Sequence, residues 1–234
     1  MKYLRSQKYN LEAINSRMMG PNPIKLAEEL LFRHSIPRGA TVMDLGCGRG
    51  VTSAFLAKEY GFRTFATDLW INPTENRQFF HKIGLTDDQI VPIHADATDL
   101  PYAEEFFDAI VSVDSYHYFG RDPQYLSRRL LPFVKHGGLI YLCFPGMKRD
   151  CHDHLPPELL LSWTPEDLDT LHDVTYWRNL IGQTDGIDNL SVYEMESNEE
   201  VWNDWLACEN EYAQGDRKSM EAGGGNYLNF VAIR

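Results

Sequence analysis

The chain has 234 residues, of which 43% are hydrophobic, and this size suits a single domain with a well-buried core. Its net charge of −12 disfavours nucleic acid or an anionic membrane surface as a partner, because both attract basic faces. No apolar run approaches the roughly 20 residues needed to cross a bilayer, and the N-terminal segment lacks the apolar centre of a signal peptide. Four cysteines of irregular spacing add to these features, which together predict a cytoplasmic protein in a reducing compartment.

The N-terminal part of the chain is predicted to be helical. A helical turn or two is expected near Leu11, and the run Gly20–Pro23 interrupts it because proline cannot continue a helix. A second helix is predicted from Ile24 to about Ser35, where leucines recur on one face and charged residues occupy the rest. A turn over Ile36–Gly39 then leads into the first strand.

A glycine-rich turn follows that strand, within the stretch Thr41–Gly50. Gly46, Gly48 and Gly50 alternate, so the backbone can turn tightly and approach a ligand closely. The spacing matches neither a dinucleotide-binding fingerprint nor a phosphate-binding P-loop. Asp44 completes the pattern D-x-G-x-G-x-G, and a carboxylate there suits a cationic ligand better than a pyrophosphate. A plain glycine-rich turn is the alternative.

The next two predicted strands also end near acidic residues. The second strand covers Arg63–Thr67, and Asp68 at its tip could accept both hydroxyls of a ribose; helix capping is the alternative role. A helix is predicted over Asn72–Lys82, with asparagine as its cap and proline at its first position. The third strand, Ile90–His94, leads to Asp96, for which a solvated turn is the alternative.

The run Phe107–Val113 is almost purely apolar and predicts a central strand buried on both faces. Ligands of open α/β sheets bind beyond the carboxyl ends of the strands, so the following segment, Asp114–Gly120, is the best candidate for substrate contact. His117 could act as a general base, because imidazole titrates near neutrality. Tyr116 and Tyr118 could orient an acceptor or face a cation with their rings. The alternative is a packed aromatic segment with a structural histidine.

The second half of the chain continues the alternation of helices and strands, which predicts a doubly wound parallel sheet. Its predicted elements are a helix over Pro123–His136 stopped by Gly137-Gly138, a strand over Leu139–Phe144 broken by Pro145-Gly146, a helix from Thr164 to about Leu180, a strand over Leu190–Met195, a charged helix over 198–221 and a final strand over Tyr227–Ile233.

Residues 147–163 are irregular and predict a polar lid loop over the site. Four side chains in this loop are of metal-ligand types. Contiguous ligands on one short loop rarely surround one ion, and no second cluster has a matching spacing, so we predict no metal site. The four residues are Cys151, His152, Asp153 and His154.

The pattern Asp44–Gly50, the acidic Asp68 and the pair Asp96-Ala97 resemble motifs of the class I S-adenosylmethionine-dependent methyltransferases, over roughly residues 24–145. With the segment 114–119, the chain is similar to small-molecule methyltransferases of the ubiquinone/menaquinone-biosynthesis type. The resemblance implies an α/β fold with a doubly wound, mostly parallel seven-stranded sheet, an antiparallel last strand pair and an N-terminal helical cap. The long helix predicted between the last two strands departs from the simplest form of that pair.

The resemblance also implies a division of this one domain into a cap, a cofactor-binding core, a lid loop and a C-terminal half of the sheet. Tyr3, Tyr9 and Met19 of the cap are then candidates to close over cofactor or substrate, and core packing is their alternative role. The predicted bounds of the four parts are 1–35, 36–145, 146–163 and 164–234.

The cofactor implied by the resemblance is S-adenosylmethionine, with S-adenosylhomocysteine as the product. The resemblance assigns Asp68 to the ribose diol, Asp96 to the adenine amine and the backbone of Ala97 to an adenine ring nitrogen, while Trp70 and Ile71 could sandwich the adenine. The residues expected to contact the cofactor are Asp44, Gly46, Cys47, Gly48, Gly50, Asp68, Leu69, Trp70, Asp96, Ala97 and Asp114.

The implied reaction is methyl transfer to a small molecule by in-line displacement, with His117 and Tyr116 as the expected catalytic residues. Two alternatives stay open: a protein methyltransferase, which needs an open groove, and a cofactor-binding sensor or scaffold without chemistry. The segment after the fourth strand lacks the Asn/Asp-Pro-Pro-aromatic motif common in methyltransferases of nucleic-acid amines. We therefore expect a small-molecule partner and neither nucleic acid nor membrane, and leave a homodimer open.

Overall fold

The computed structural model describes residues 3–234; Met1 and Lys2, where the predicted cap begins, lie outside the described residues. The strands are β1 (Thr41–Leu45), β2 (Arg63–Asp68), β3 (Ile90–His94), β4 (Phe107–Val113), β5 (Val134–Met147), β6 (Val192–Glu194) and β7 (Leu228–Ile233). They form one sheet in the order β3-β2-β1-β4-β5-β7-β6. The first five strands pair in parallel, and β7 runs antiparallel between β5 and β6. The predicted seven-stranded sheet with an antiparallel last pair is confirmed.

The helices cover both faces of the sheet. They are α1 (Leu11–Asn15), α2 (Pro23–Leu30), α3 (Val51–Phe55), α4 (Pro73–Lys82), α5 (Pro165–Leu168), α6 (Val174–Ile181), α7 (Asn198–Leu206) and α8 (Glu211–Glu221). Neighbouring side chains of β4 point to opposite faces: Val111 joins a buried cluster with Phe55 of α3, and Ile110 joins another with Trp177 of α6. Within residues 3–234, no helix has the length and apolar character needed to cross a membrane.

The predicted helix over Pro123–His136 is present only in part, as an irregular helical stretch that ends before Val134. The chain makes a π-helical turn at Leu126–Leu130 and a 3-10 turn at Leu131–Phe133, and β5 then begins at Val134. Proline at 132 cannot continue a helix, because it lacks an N–H group. The glycines that suggested a helix stop lie instead in an irregular stretch of β5, where the register with β4 shifts and Gly137 has a φ of 73°.

Two other predicted helices are each split by a capping side chain. The helix expected from Thr164 to about Leu180 ends at Leu168, and α6 begins after Asp173, whose carboxylate accepts the N–H groups of Thr175 and Tyr176. The helix expected over 198–221 divides into α7 and α8, and Asn210 caps α8. Asp and Asn stabilise helix starts by accepting these otherwise unpaired N–H groups.

Candidate active site

A cavity of about 310 Å³ opens at the carboxyl ends of β1, β2 and β4. Its walls come from the loops after those strands and after β3, and its cover comes from residues 17–23 between α1 and α2. This is the edge of an open α/β sheet where ligands bind. The predicted contacts that line the cavity are Gly46, Cys47, Gly48, Asp68, Leu69, Trp70, Asp96, Ala97 and Asp114.

The glycines of the turn after β1 differ in what they contact. Gly46 and Gly48 line the cavity with φ of 74° and 51°. A Cβ on Gly46 would lie 2.1 Å from the Ser115 hydroxyl, so this glycine lets the loops after β1 and β4 touch. Gly50 is not among the lining residues; its Cβ would lie 2.7 Å from the Phe80 ring, so glycine is needed there for packing against α4.

Asp44 also lies behind the turn rather than in the cavity wall. Its side chain is buried and accepts a hydrogen bond from the Ser53 hydroxyl on α3, while its second oxygen has no partner among the described residues. Burial, reinforced by the charge of Asp68, raises the pKa of Asp44 to about 7. Its observed contact therefore joins the strand to α3, and direct contact with a cofactor stays a prediction.

Asp68 stands at the tip of β2 and faces the cavity. Its carboxylate accepts the backbone N–H of Gly48 at 2.8 Å on one oxygen, and those of Trp70 at 2.8 Å and Ile71 at 2.9 Å on the other. A carboxylate offers about four lone-pair sites, so roughly one remains for a further donor. The backbone thus holds this carboxylate in place, and its acceptance of both ribose hydroxyls stays a prediction.

The side chains after β3 and β2 form the outer wall of the cavity. One oxygen of Asp96 accepts the Thr98 N–H at 2.7 Å and its hydroxyl at 2.8 Å, and these bonds lower the pKa of Asp96. The Trp70 ring is 74% exposed and meets the edge of the Tyr118 ring at 6.3 Å between centroids. Two exposed aromatic rings at a cavity mouth offer apolar surface to a flat ligand.

Asp114 follows β4 directly and has a φ of 61°, which is uncommon for a residue with a side chain. Its N–H donates to the Cys143 carbonyl at 2.7 Å, and its carboxylate lies against Gly20 of the cap, where a Cβ would be 2.1 Å from Oδ2. Burial, with the charge of Asp216, raises the pKa of Asp114 to about 8. The structure therefore places this carboxylate between the sheet edge and the cap.

His117 and Tyr116, the predicted catalytic residues, are both buried and do not line the cavity. The Tyr116 ring packs among aromatic rings that include Phe144 and Trp177, and its hydroxyl has no partner within the described chain. Burial and the charge of Arg121 lower the pKa of His117 to about 3, so its imidazole is neutral and weakly basic. Their catalytic role stays a prediction, and this placement favours the packed aromatic segment instead.

The cap brings residues to the cavity that the sequence analysis passed over. The Arg17 guanidinium donates to the Arg49 carbonyl at 2.8 and 2.6 Å and to the Asn76 side chain at 3.0 Å. Arg49 in turn donates to the Ser16 carbonyl at 2.9 Å, so cap and glycine turn are bonded in both directions. Met19 lines the cavity as expected, whereas Tyr9 packs against Phe55 and bonds to Glu59. These partners lie far apart in sequence, so no local pattern could predict their contacts.

The predicted lid loop contains a small cluster of polar side chains. The Asp150 carboxylate lies 2.7 Å from His152 Nδ1 and 3.2 Å from His172 Nδ1, and His152 Nε2 lies 3.0 Å from the Leu168 carbonyl. His172 thus joins the cluster from outside the loop, and Cys151 contacts Met147 instead. These bonds tie the loop to the segment before α6, and the prediction of no resident metal stays untested.

Residues 43–142 match the model of the methyltransferase domain family. A 2-methyl-6-phytyl-1,4-hydroquinone methyltransferase of Synechocystis sp. is 34% identical over 108 residues, which cover 45% of this chain and 32% of that protein. Matches to the curated relatives span about a third to a half of those proteins' lengths.

Two solved structures are similar to this chain in fold, although their sequence identity to it is low. Phosphoethanolamine N-methyltransferase 2 of Haemonchus contortus, solved with S-adenosyl-L-methionine, has a TM-score of 0.72 at 17% identity over 100% of this chain and 59% of that chain. A putative sarcosine dimethylglycine methyltransferase from Galdieria sulphuraria has a TM-score of 0.65 at 21% identity over 89% of this chain and 82% of that chain.

The sheet order, the glycine turn and the match over residues 43–142 have the form of a class I S-adenosylmethionine-dependent methyltransferase domain. The match covers less than half of the chain, and the cavity at the sheet edge is lined in part by residues of the matched segment. The prediction drawn from the sequence motifs is confirmed at the level of family and fold.

Proposed function

We propose that the chain is an enzyme that transfers a methyl group from S-adenosylmethionine to a small-molecule acceptor. The observation that supports this most is the convergence of Asp68, Asp96 and Asp114 on one cavity beside the glycine turn. Three segments far apart in sequence each bring a carboxylate there. The cofactor offers hydroxyl, amino and sulfonium groups, all of which suit carboxylate acceptors or counter-charges.

The residues at the cavity fit this cofactor. Asp68 keeps about one lone-pair site for a ribose hydroxyl. Asp96 and the Ala97 backbone would hold the adenine edge, Trp70 would cover its face, and the turn Gly46–Gly48 would face the remainder. When bound, the cofactor supplies an activated methyl group on a sulfonium, and the attack of an acceptor lone pair breaks the C–S bond to leave neutral S-adenosylhomocysteine.

The chain itself mainly positions the methyl donor and the acceptor and limits their contact with water. An activated methyl donor needs little acid or base help, so holding donor and acceptor in line supplies most of the acceleration. Met18, Met19 and Pro21 of the cap segment 17–23 line the cavity, and their apolar side chains would limit the access of water. The predicted catalytic roles of His117 and Tyr116 enter this proposal only through packing, since a neutral buried imidazole is a weak base.

A small molecule is favoured over a protein as the acceptor because the cavity has a volume of about 310 Å³ and is bordered by the cap segment 17–23. The names of the similar proteins point the same way: a hydroquinone, phosphoethanolamine and sarcosine or dimethylglycine are all small molecules. A protein methyltransferase and a non-catalytic cofactor sensor are the competing functions.

The setting of this enzyme is also part of the proposal. We place it in the cytoplasm. We also propose that its partner is a small molecule and not nucleic acid, because its net charge of −12 repels polyanions. The cap, core, lid loop and C-terminal half act as one domain. A homodimer is left open.

The test is incubation of the purified protein with methyl-labelled S-adenosylmethionine and a size-fractionated cell extract. Label in the small-molecule fraction is the expected result, and label in protein would support the protein methyltransferase instead. Binding of S-adenosylhomocysteine without label in any fraction would favour the sensor. Asp68→Ala should lose most of the transfer, and Asp88→Asn, a change at an exposed carboxylate remote from the cavity, is the matched control.

A further inference from the structure

Two histidines and one aspartate come together at the lid loop, outside the cavity. Asp150 and His152 follow β5, and His172 precedes α6. The Asp150 carboxylate lies 2.7 Å from Nδ1 of His152 on one oxygen and 3.2 Å from Nδ1 of His172 on the other. The three side chains bring their ligand atoms within 4.8 Å of one another, and none of the three lines the cavity. The proposed methyl transfer makes no use of this cluster.

A backbone contact of His152 decides which of its ring nitrogens carries a proton. Its Nε2 lies 3.0 Å from the Leu168 carbonyl, and a carbonyl oxygen only accepts, so Nε2 is the protonated nitrogen. In the neutral imidazole Nδ1 then has a lone pair, which faces a carboxylate oxygen of Asp150 at 2.7 Å. Two lone pairs at this distance need a positive charge between them, which is either a second proton on the ring or a metal ion.

The surroundings hold both rings in orientations that suit metal ligands. Histidines that bind metals usually donate their other N–H group to a carbonyl or a carboxylate, and the contact of His152 with Leu168 has this form. The His172 ring stacks on Tyr176 at 3.6 Å between centroids. With its proton on Nε2, His172 also offers a lone pair on Nδ1. Both rings are half-buried and Asp150 is exposed, so an ion can enter from solvent and water can complete its coordination.

The ligand set favours one class of ion. Two imidazole nitrogens and one carboxylate suit Zn²⁺ and neighbouring transition metals, whereas Mg²⁺ and Ca²⁺ prefer oxygen ligands. Bonds of about 2.0 Å in a tetrahedral site place neighbouring ligand atoms about 3.3 Å apart, so the observed 2.7 and 3.2 Å need only small shifts. Arg121, whose positive charge acts on His172, is paired with Asp169 at 2.6 Å and therefore opposes a cation less.

We propose that Asp150, His152 and His172 bind a divalent transition-metal ion, with Zn²⁺ as the expected occupant. The sequence predicted no metal site because no second cluster had a matching spacing. His172 supplies that second segment, since the fold brings the residues before α6 against the loop after β5. An ion bound to all three side chains cross-links the lid loop to this segment and restricts the motion of the loop.

Calorimetry with Zn²⁺ tests the site without any turnover. The full chain, free of any histidine tag, is stripped of metal with a chelator and titrated with Zn²⁺ and, separately, with Mg²⁺. One equivalent of Zn²⁺ should bind, and Mg²⁺ should not bind at the same concentrations. In Asp150→Asn, His152→Gln and His172→Gln the affinity for Zn²⁺ should fall at least tenfold.

The same loop offers matched controls in Asp153→Asn and His154→Gln. Both side chains are exposed and of metal-ligand types, but they lie outside the cluster, so both variants should bind Zn²⁺ as the parent protein does. Absence of Zn²⁺ binding by the parent protein would overturn the proposal, and a second proton on His152 would then explain its contact with Asp150. Equal losses in the control variants would also overturn it, because other side chains of the loop would then hold the ion.

A variant that fails to fold would also lose the ion, so urea unfolding without metal accompanies each titration. Hydrogen exchange of the parent protein gives a readout that needs no variant. Saturating Zn²⁺ should slow exchange of backbone N–H groups in residues 147–163 and leave those of α4, which packs on β3 at the other end of the sheet, unchanged. Binding of Zn²⁺ with unchanged exchange in the loop would place the ion elsewhere and overturn the proposal.

Discussion

Replacement of Asp68 should weaken cofactor binding in two ways. The carboxylate accepts three backbone N–H groups, at 2.8, 2.8 and 2.9 Å, and keeps about one site for the ligand. Asp68→Ala removes the ligand contact and also releases the backbone of Gly48, Trp70 and Ile71, which line or adjoin the cavity. The variant must then order these segments again each time a ligand binds.

The magnitude follows from the contact that is lost. A hydrogen bond to a charged group contributes about 1.5–3 kcal/mol, and the released N–H groups at this partly exposed site can bond to water instead. We therefore expect a loss of about 1–3 kcal/mol in binding, which is on the order of 5- to 150-fold in the dissociation constant. Asp68→Asn should fall between the parent protein and Asp68→Ala, because its oxygen still accepts the N–H groups of Trp70 and Ile71.

Isothermal calorimetry with S-adenosylhomocysteine is the assay, since it needs no acceptor. Asp88→Asn serves as a control for charge, because it also removes one negative charge from the surface. Urea unfolding of each variant separates a binding defect from a folding defect. Equal affinity of Asp68→Ala and the parent protein would refute the reasoning, because the carboxylate would then hold only the backbone.

Three further predictions concern stability and catalysis. Tyr116→Phe removes a buried hydroxyl that has no partner among the described residues, so stability in urea should stay or rise by about 1 kcal/mol, with turnover unchanged; a tenfold loss of turnover would restore its catalytic role. Gly50→Ala puts a Cβ 2.7 Å from Phe80 at a φ of 80°, and should lower the free energy of unfolding by about 1–3 kcal/mol. Burial raises the pKa of Asp114 to about 8 from its ordinary value of 3.8, so the folded protein binds more protons than the unfolded chain between these values. The contribution of Asp114 to the free energy of unfolding therefore falls as pH rises from about 4 to 8, and Asp114→Asn should show a shallower decline in urea titrations at pH 5 and 8.

Local sequence signals were sufficient for the parallel half of the sheet. Asn72 and Pro73 begin α4 as predicted, since a capping side chain and a proline at the first position act on adjacent residues. The glycine turn was likewise located from spacing alone. The wall of the cavity could be predicted from the sequence because parallel strands end at one edge of the sheet. This brings Asp68 and Asp96 together without any long-range information.

The breaks within the C-terminal helices could not be predicted, for a physical reason. Asp173 and Asn210 are strong helix caps, but a polar residue inside an apparently continuous helical pattern also fits a solvent-facing position. The hydrogen bond from the Trp205 indole to Asp216 joins α7 to α8, and no periodicity encodes that contact. The burial of His117 could not be predicted either, because an imidazole after a strand can point either into the cavity or into the core.

The reciprocal bonds between Arg17 and Arg49 bear on how the enzyme would finish a cycle. Each arginine donates to a backbone carbonyl in the other's segment, Arg17 to Arg49 itself and Arg49 to Ser16. The covering segment therefore cannot lift without also loosening the turn that faces the ligand. Under the proposed function, release of the spent donor would involve both segments, because Arg17 and Arg49, which themselves line the cavity, bond the cap to the glycine turn.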